Sequence, residues 1–113
     1  MKERRAAERH DFHYYMPVTD DTTNRMLGHI ADVSLKGFKL DSSQELPVGR
    51  DFKLRLDLER DVSNKPFISF VARSRWCAPD RFAPAVYNVG FEIVNMTSTD
   101  VSIYRQMVQK YAS

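Results

Sequence analysis

The chain has 113 residues, 42% of them hydrophobic and 12% aromatic, with 17 basic against 15 acidic side chains for a net charge of +2. That is material for one domain with a real core. It excludes a disordered chain, and the near-balanced charge speaks against a general binder of long DNA or RNA, which needs a basic stripe.

Residues 1–12, MKERRAAERHDF, are charged and carry little apolar surface beyond Ala6 and Ala7. They lack the apolar core of a secretory signal, and no later run approaches the length of a membrane span. The expectation is a cytoplasmic protein with no membrane insertion and a mobile N-terminal arm that orders when something binds it. The single cysteine, Cys77, leaves no intramolecular disulfide and suits a reducing compartment.

From residue 12 the pattern turns β-like. Residues 14–18 and 26–31 read as strands, and 38–40 continue beyond the bend in IADVSLKGFKL, while LPVG at 46–49 is a turn signal. In residues 52–59, Phe52, Leu54, Leu56 and Leu58 alternate with Lys53, Arg55, Asp57 and Glu59, the period of a strand with one face in water. Residues 67–76 form a long strand with Ile68, Phe70, Ala72 and Trp76 on its inner face, Trp76 being read as core. Residues 86–94 alternate at Tyr87, Val89, Phe91 and Ile93. The period then changes: Val101, Tyr104, Met107, Val108 and Tyr111 share a helical face, and Thr97 is a good N-cap with Asp100 in the first turn. Six or so strands on short turns imply an all-β fold, a small closed antiparallel barrel or tight sandwich, with the helix over a barrel mouth.

Two segments carry recognition chemistry. The arm holds Arg5-x-x-x-Arg9 with Arg4 directly before it. A guanidinium is a planar fork that suits phosphate and the O6/N7 edge of guanine, and its face stacks on bases. The bend supplies complementary groups: Asp32 accepts from donors such as guanine N1–H and N2–H₂, and Ser34 can donate. Gly37 can take positive φ and lets a ligand approach the backbone. The plain alternatives are solvated arginines on a frayed terminus and an ordinary Asx/Gly turn. His10, His13, His29 and Cys77 match no zinc spacing, and no nucleophile–base pair is visible, so neither a metal nor catalysis is expected. Arg73 and Arg75 share a strand face, solvated or else widening a ligand site.

Arg5-Ala6-Ala7-Glu8-Arg9 in an N-terminal arm, followed by Asp32-Val33-Ser34-Leu35-Lys36-Gly37 between two strands, resembles the PilZ domain of bacteria, and the likeness extends over nearly the whole chain. The resemblance implies a flexible ligand-binding arm over 1–12 and a six-stranded antiparallel β-barrel over 13–113 that ends in a helix at about 97–111. It implies no cofactor and no enzyme activity, but a cyclic di-GMP ligand, bound as one molecule or as a stacked dimer. Carried over, Arg5, Arg9, Asp32, Ser34 and Gly37 form the binding set. Arg4 would add a third guanidinium favouring the dimer, and Gly90 would leave room for a guanine. A chain with no room for an output domain implies a downstream protein partner in trans, with motility, exopolysaccharide or virulence outputs. Two rivals stand beside this reading. One is a PilZ-like adaptor that binds no nucleotide. The other is a barrel that binds single-stranded nucleic acid through aromatics and arginine.

Overall fold

Alternating apolar and polar side chains set the strands, and short turns set their pairing. In the computed structural model, which describes residues 16–58, 63 and 65–111, the elements are β1 (Pro17–Asp20), β2 (Arg25–Val33), β3 (Gly37–Ser42), β4 (Asp51–Asp57), β5 (Phe67–Pro79), β6 (Tyr87–Met96) and α1 (Ser98–Tyr111). All pairings are antiparallel, and the order β1-β2-β3-β6-β5-β4 closes on itself through β1 and β4. The fold is a six-stranded antiparallel β-barrel with a C-terminal helix, and closure leaves no bare sheet edge.

The period-2 pattern of β4 is realised directly: Leu54 and Leu56 are fully buried, whereas Lys53 is exposed and Arg55 and Asp57 are half-buried. Facing them are Ile68, Phe70 and Ala72 of β5 and Val89 and Phe91 of β6. Phe38 stacks on Phe91 with centroids 5.2 Å apart and meets Phe70 edge-on at 5.9 Å. Each such buried side chain contributes about 1.5–3 kcal/mol relative to exposure, so this cluster is a main source of stability. In the LPVG turn, Gly49 takes φ +82° and donates its N–H to Ser74 O at 2.7 Å, a conformation that favours glycine.

Thr97 caps α1: its Oγ1 accepts from Asp100 N at 3.3 Å and its carbonyl from Val101 N at 2.8 Å. Tyr104, Met107 and Val108 are buried, but Val101 is 36% exposed, which corrects its assignment to the apolar stripe. Asp100, one residue earlier, takes the inward position. Its carboxylate accepts from Lys65 Nζ at 2.6 Å and from Ser69 N at 3.4 Å, so burial of the charge is compensated by paired donors. These bonds fix the start of the helix to β5, and Tyr104 fixes its middle to the β2–β3 bend. The helix therefore lies across the barrel end at which the bend sits.

A bulge in β5 corrects the reading of Trp76 as core. Ser74 pairs with Phe91 and Trp76 with Gly90, so Arg75 is an extra residue. The extra residue shifts the alternation: Ser74 is fully buried, but Trp76 faces outward and is 45% exposed. Among the described residues, no helix is long and apolar enough to cross a membrane.

Candidate functional site

A second bulge, in β2, does for Asp32 what the first does for Trp76. Ile30 pairs with Leu40 and Asp32 with Lys39, leaving Ala31 extra. Ile30 and Val33 point inward and Asp32 outward. Lys39 in turn pairs with Gly90, and Gly90 with Trp76. Asp32, Lys39, Gly90 and Trp76 thus form one transverse row across β2, β3, β6 and β5. Ser34, Lys36, Gly37, Arg75 and Glu92 border this row, and together they enclose an open cleft of about 270 Å³. Of the sequence-derived site residues, the structure brings Asp32, Ser34, Gly37 and Gly90 together in this cleft. Arg4, Arg5 and Arg9 lie outside the described residues.

The two glycines serve close approach. Gly37 is not in the left-handed region, contrary to one expectation of its role. A Cβ there would instead collide with the Phe91 carbonyl oxygen, so glycine is what lets β3 run this close to β6. At Gly90 a Cβ would meet Nε1, Cε2 and Cδ1 of Trp76. The indole lies against the strand at Gly90, where no side chain lifts it off.

The bend is held from several sides. Ser34 N donates to Gly37 O at 2.9 Å and Ser34 Oγ to the same oxygen at 3.3 Å. Ile93 N donates to Lys36 O at 2.9 Å. Asp32 Oδ1 accepts from Val33 N at 3.0 Å. From beneath, the Tyr104 hydroxyl sits 2.8 Å from Ser34 O and 2.7 Å from Gly37 O, sharing its proton between them. Sequence reasoning placed Tyr104 on the buried face and missed this bond, because periodicity gives the direction of a side chain and not its polar partner.

Burial, with a smaller contribution from the nearby Asp32 charge, pushes the Tyr104 hydroxyl well above its ordinary value of 10.0. The protonated form is favoured in the fold, so above pH 10 the folded protein binds more protons than the unfolded chain. The associated stability is complete below pH 10 and is lost as pH rises toward the folded value, at up to about 1.4 kcal/mol per pH unit. Tyr104→Phe is expected to cost about 1 kcal/mol at neutral pH and to flatten this alkaline slope, as read from urea midpoints at a series of pH values. An unchanged slope would contradict the assignment.

The cleft carries Lys36, Lys39 and Arg75 against Asp32 and Glu92. Arg75 Nη1 lies 3.4 Å from Glu92 Oε1, which offsets both charges. Arg73, its neighbour on the same face, is engaged elsewhere: its Nε and Nη2 donate to the two oxygens of Asp51 at 2.6 and 3.2 Å. The arrangement offers an exposed aromatic side chain, a carboxylate acceptor and two lysines whose amines suit an anion.

Solved structures share the fold, two of them as follows. The Bacillus subtilis inhibitor of motility (MotI/DgrA) superposes with a TM-score of 0.68 at 12% identity, over 86% of this chain and 46% of that one. This chain therefore spans under half of the Bacillus protein. The PilZ domain with c-di-GMP of YcgR from Escherichia coli superposes with a TM-score of 0.65 at 15% identity, over 86% of this chain and 80% of that one. No curated protein sequence matches this chain. The sequence pattern of the PilZ domain, however, matches residues 3–110, nearly its full length, and the chain belongs to the PilZ domain family.

Proposed function

We propose that this protein is a bacterial cyclic di-GMP receptor, acting in the cytoplasm, that binds its ligand on the Asp32–Lys39–Gly90–Trp76 row and regulates a partner protein through the resulting change. The observation that carries the reading is convergence. Asp32, Ser34, Gly37 and Gly90, chosen from sequence, line one cleft beside an exposed tryptophan. The family match begins at residue 3 and so takes in Arg4, Arg5 and Arg9, and the YcgR domain of like fold is named with c-di-GMP.

Each group has a role that its chemistry suits. The indole of Trp76 offers a face on which a guanine stacks, and Asp32 accepts from the guanine N1–H and N2–H₂ edge. Lys36 and Lys39 offset phosphate charge. Arg5 and Arg9 close over the ligand from the arm, with forks that fit phosphate or the guanine O6/N7 edge. Arg4 adds a further cation that favours a stacked ligand pair, whose charge is twice that of a single molecule. A micromolar Kd needs about 8 kcal/mol, within reach of several charge-assisted bonds at roughly 1.5–3 kcal/mol each after the ordering of the arm is subtracted.

Calorimetric titration with cyclic di-GMP, against GMP and cyclic GMP, tests the proposal. Saturable heat with cyclic di-GMP alone is the expected result, and the ratio at saturation reads the stoichiometry. No heat at tens of micromolar ligand would leave a protein-contact adaptor. Trp76→Ala is expected to weaken binding by about 1–3 kcal/mol with the melting transition little changed, since the side chain is half outside the core. An unaltered Kd in that variant would remove the indole from the site.

A further inference from the structure

The tip of the β5–β6 hairpin is stiff and presents an aromatic ring to water. Asp80 Oδ2 accepts from Phe82 N at 3.0 Å and Ala83 N at 2.8 Å, and Asp80 N donates to Val86 O at 2.8 Å. The first two bonds hold the Asp80 carboxyl below the ordinary carboxylate range, so it stays anionic. Pro79 and Pro84 restrict the chain on either side. On this tip Phe82 is 88% exposed, with the Arg81 guanidinium 5.6 Å from its ring centroid.

Directly beside the tip is a cavity of about 510 Å³, separate from the cleft described above. Among the described residues its apolar lining includes Met26, Leu27, Ala83 and Val86; the carboxylates of Asp41 and Asp80 also line it, as does His29, and Asp41 accepts from Asn88 Nδ2 at 2.8 Å and lies 3.9 Å from His29 Nε2. Phe82 does not fill this cavity, although the next residue in the chain lines it. One face therefore carries an apolar plug with a cation beside it and an apolar socket with two carboxylates in its lining.

We propose that this face is self-complementary and that two copies of the chain dimerise through it, the Phe82 ring of each entering the cavity of the other. The arrangement is isologous: a two-fold axis brings both plugs to both sockets at once and closes the assembly. Arg81 of each copy then faces Asp41 of the other, an opposite-charge pair at the rim that fixes orientation and weakens with salt. A buried aromatic anchor flanked by arginine is the kind of residue pair that dominates an interface. This inference goes beyond the nucleotide reading and does not depend on it.

Sedimentation equilibrium of the full chain, from micromolar to millimolar concentration, tests it. The mass is expected to rise with concentration from 13.2 kDa toward twice that value. Phe82→Ser, at an exposed position that the fold does not need, is expected to weaken the dimer about 30-fold or more. Arg81→Glu and Asp41→Lys are each expected to weaken self-association, and mixing these two variants is expected to restore it, because the mixed pair recovers both opposite-charge contacts. A wild-type mass that stays at one chain throughout would overturn the proposal and leave the tip to a different protein. Self-association that survives Phe82→Ser unchanged, or a mixture of the charge variants that stays monomeric, would overturn it as well.

Discussion

Arg9→Ala, and separately Arg5→Ala, is expected to lower the affinity for cyclic di-GMP by roughly 2–5 kcal/mol while leaving the fold intact. That is a loss of about 30-fold to several thousand-fold in Kd. The size follows from what a guanidinium does at such a ligand: it makes paired, charge-assisted bonds, and its removal leaves a phosphate or guanine edge without its donors. The geometry of the barrel gives these residues the reach. Met16 is fully buried, and its carbonyl accepts from Ile30 N at 3.0 Å, two positions before Asp32 in β2. The chain thus enters the barrel beside the strand that carries the cleft. Arg9 is seven residues ahead of Met16, which spans at most about 25 Å when extended, ample to return over the Asp32–Trp76 row. A calorimetric titration of each variant checks the expectation, and a Kd equal to wild type would take that arginine out of the site.

The second large effect is on the fold itself. Gly37→Val is expected to destabilise the protein by about 3 kcal/mol or more, read as a lowered urea midpoint. A side chain at this position would overlap the Phe91 carbonyl oxygen, which is backbone and cannot rotate aside. To admit it, β3 must part from β6 at the Gly37–Glu92 pair, beside the Phe38–Phe91 stack. The Ser34 and Tyr104 bonds that converge on Gly37 O would be strained in the same movement. Gly90 differs, because a Cβ there meets the Trp76 side chain, which can swing away. A Gly37→Val protein with wild-type stability would mean that the strands separate here at little cost.

Much of this architecture is legible from residue order. The alternation in β4 and β6 gives which side chains point inward, since a half-buried strand has no other way to satisfy both faces. The Thr97 cap and the Tyr104–Met107–Val108 face give the helix. What periodicity does not reveal is the pair of bulges at Ala31 and Arg75. Each inserts a residue, and strict alternation then assigns Trp76 to the wrong side of β5. The consequence for the site is substantial, because the bulges are what align Asp32 and Trp76 in one outward row. Lys39 escaped notice for a related reason: its neighbours in the row, Asp32 and Gly90, are remote in sequence and meet it only through strand pairing. Asp100 rather than Val101 takes the inner face, where its carboxylate accepts from Lys65 Nζ and Ser69 N, a pairing that apolar periodicity does not register.

The most direct measurement of the central claim is an amide and indole N–H chemical-shift titration of the isotopically labelled chain with cyclic di-GMP. The account predicts that the largest changes fall on Trp76 Nε1–H and on the amides of Asp32, Ser34, Gly37, Lys39 and Gly90, with the barrel end at the β5–β6 tip little affected. Saturable changes confined to a different face, or a spectrum indifferent to the ligand, would contradict it.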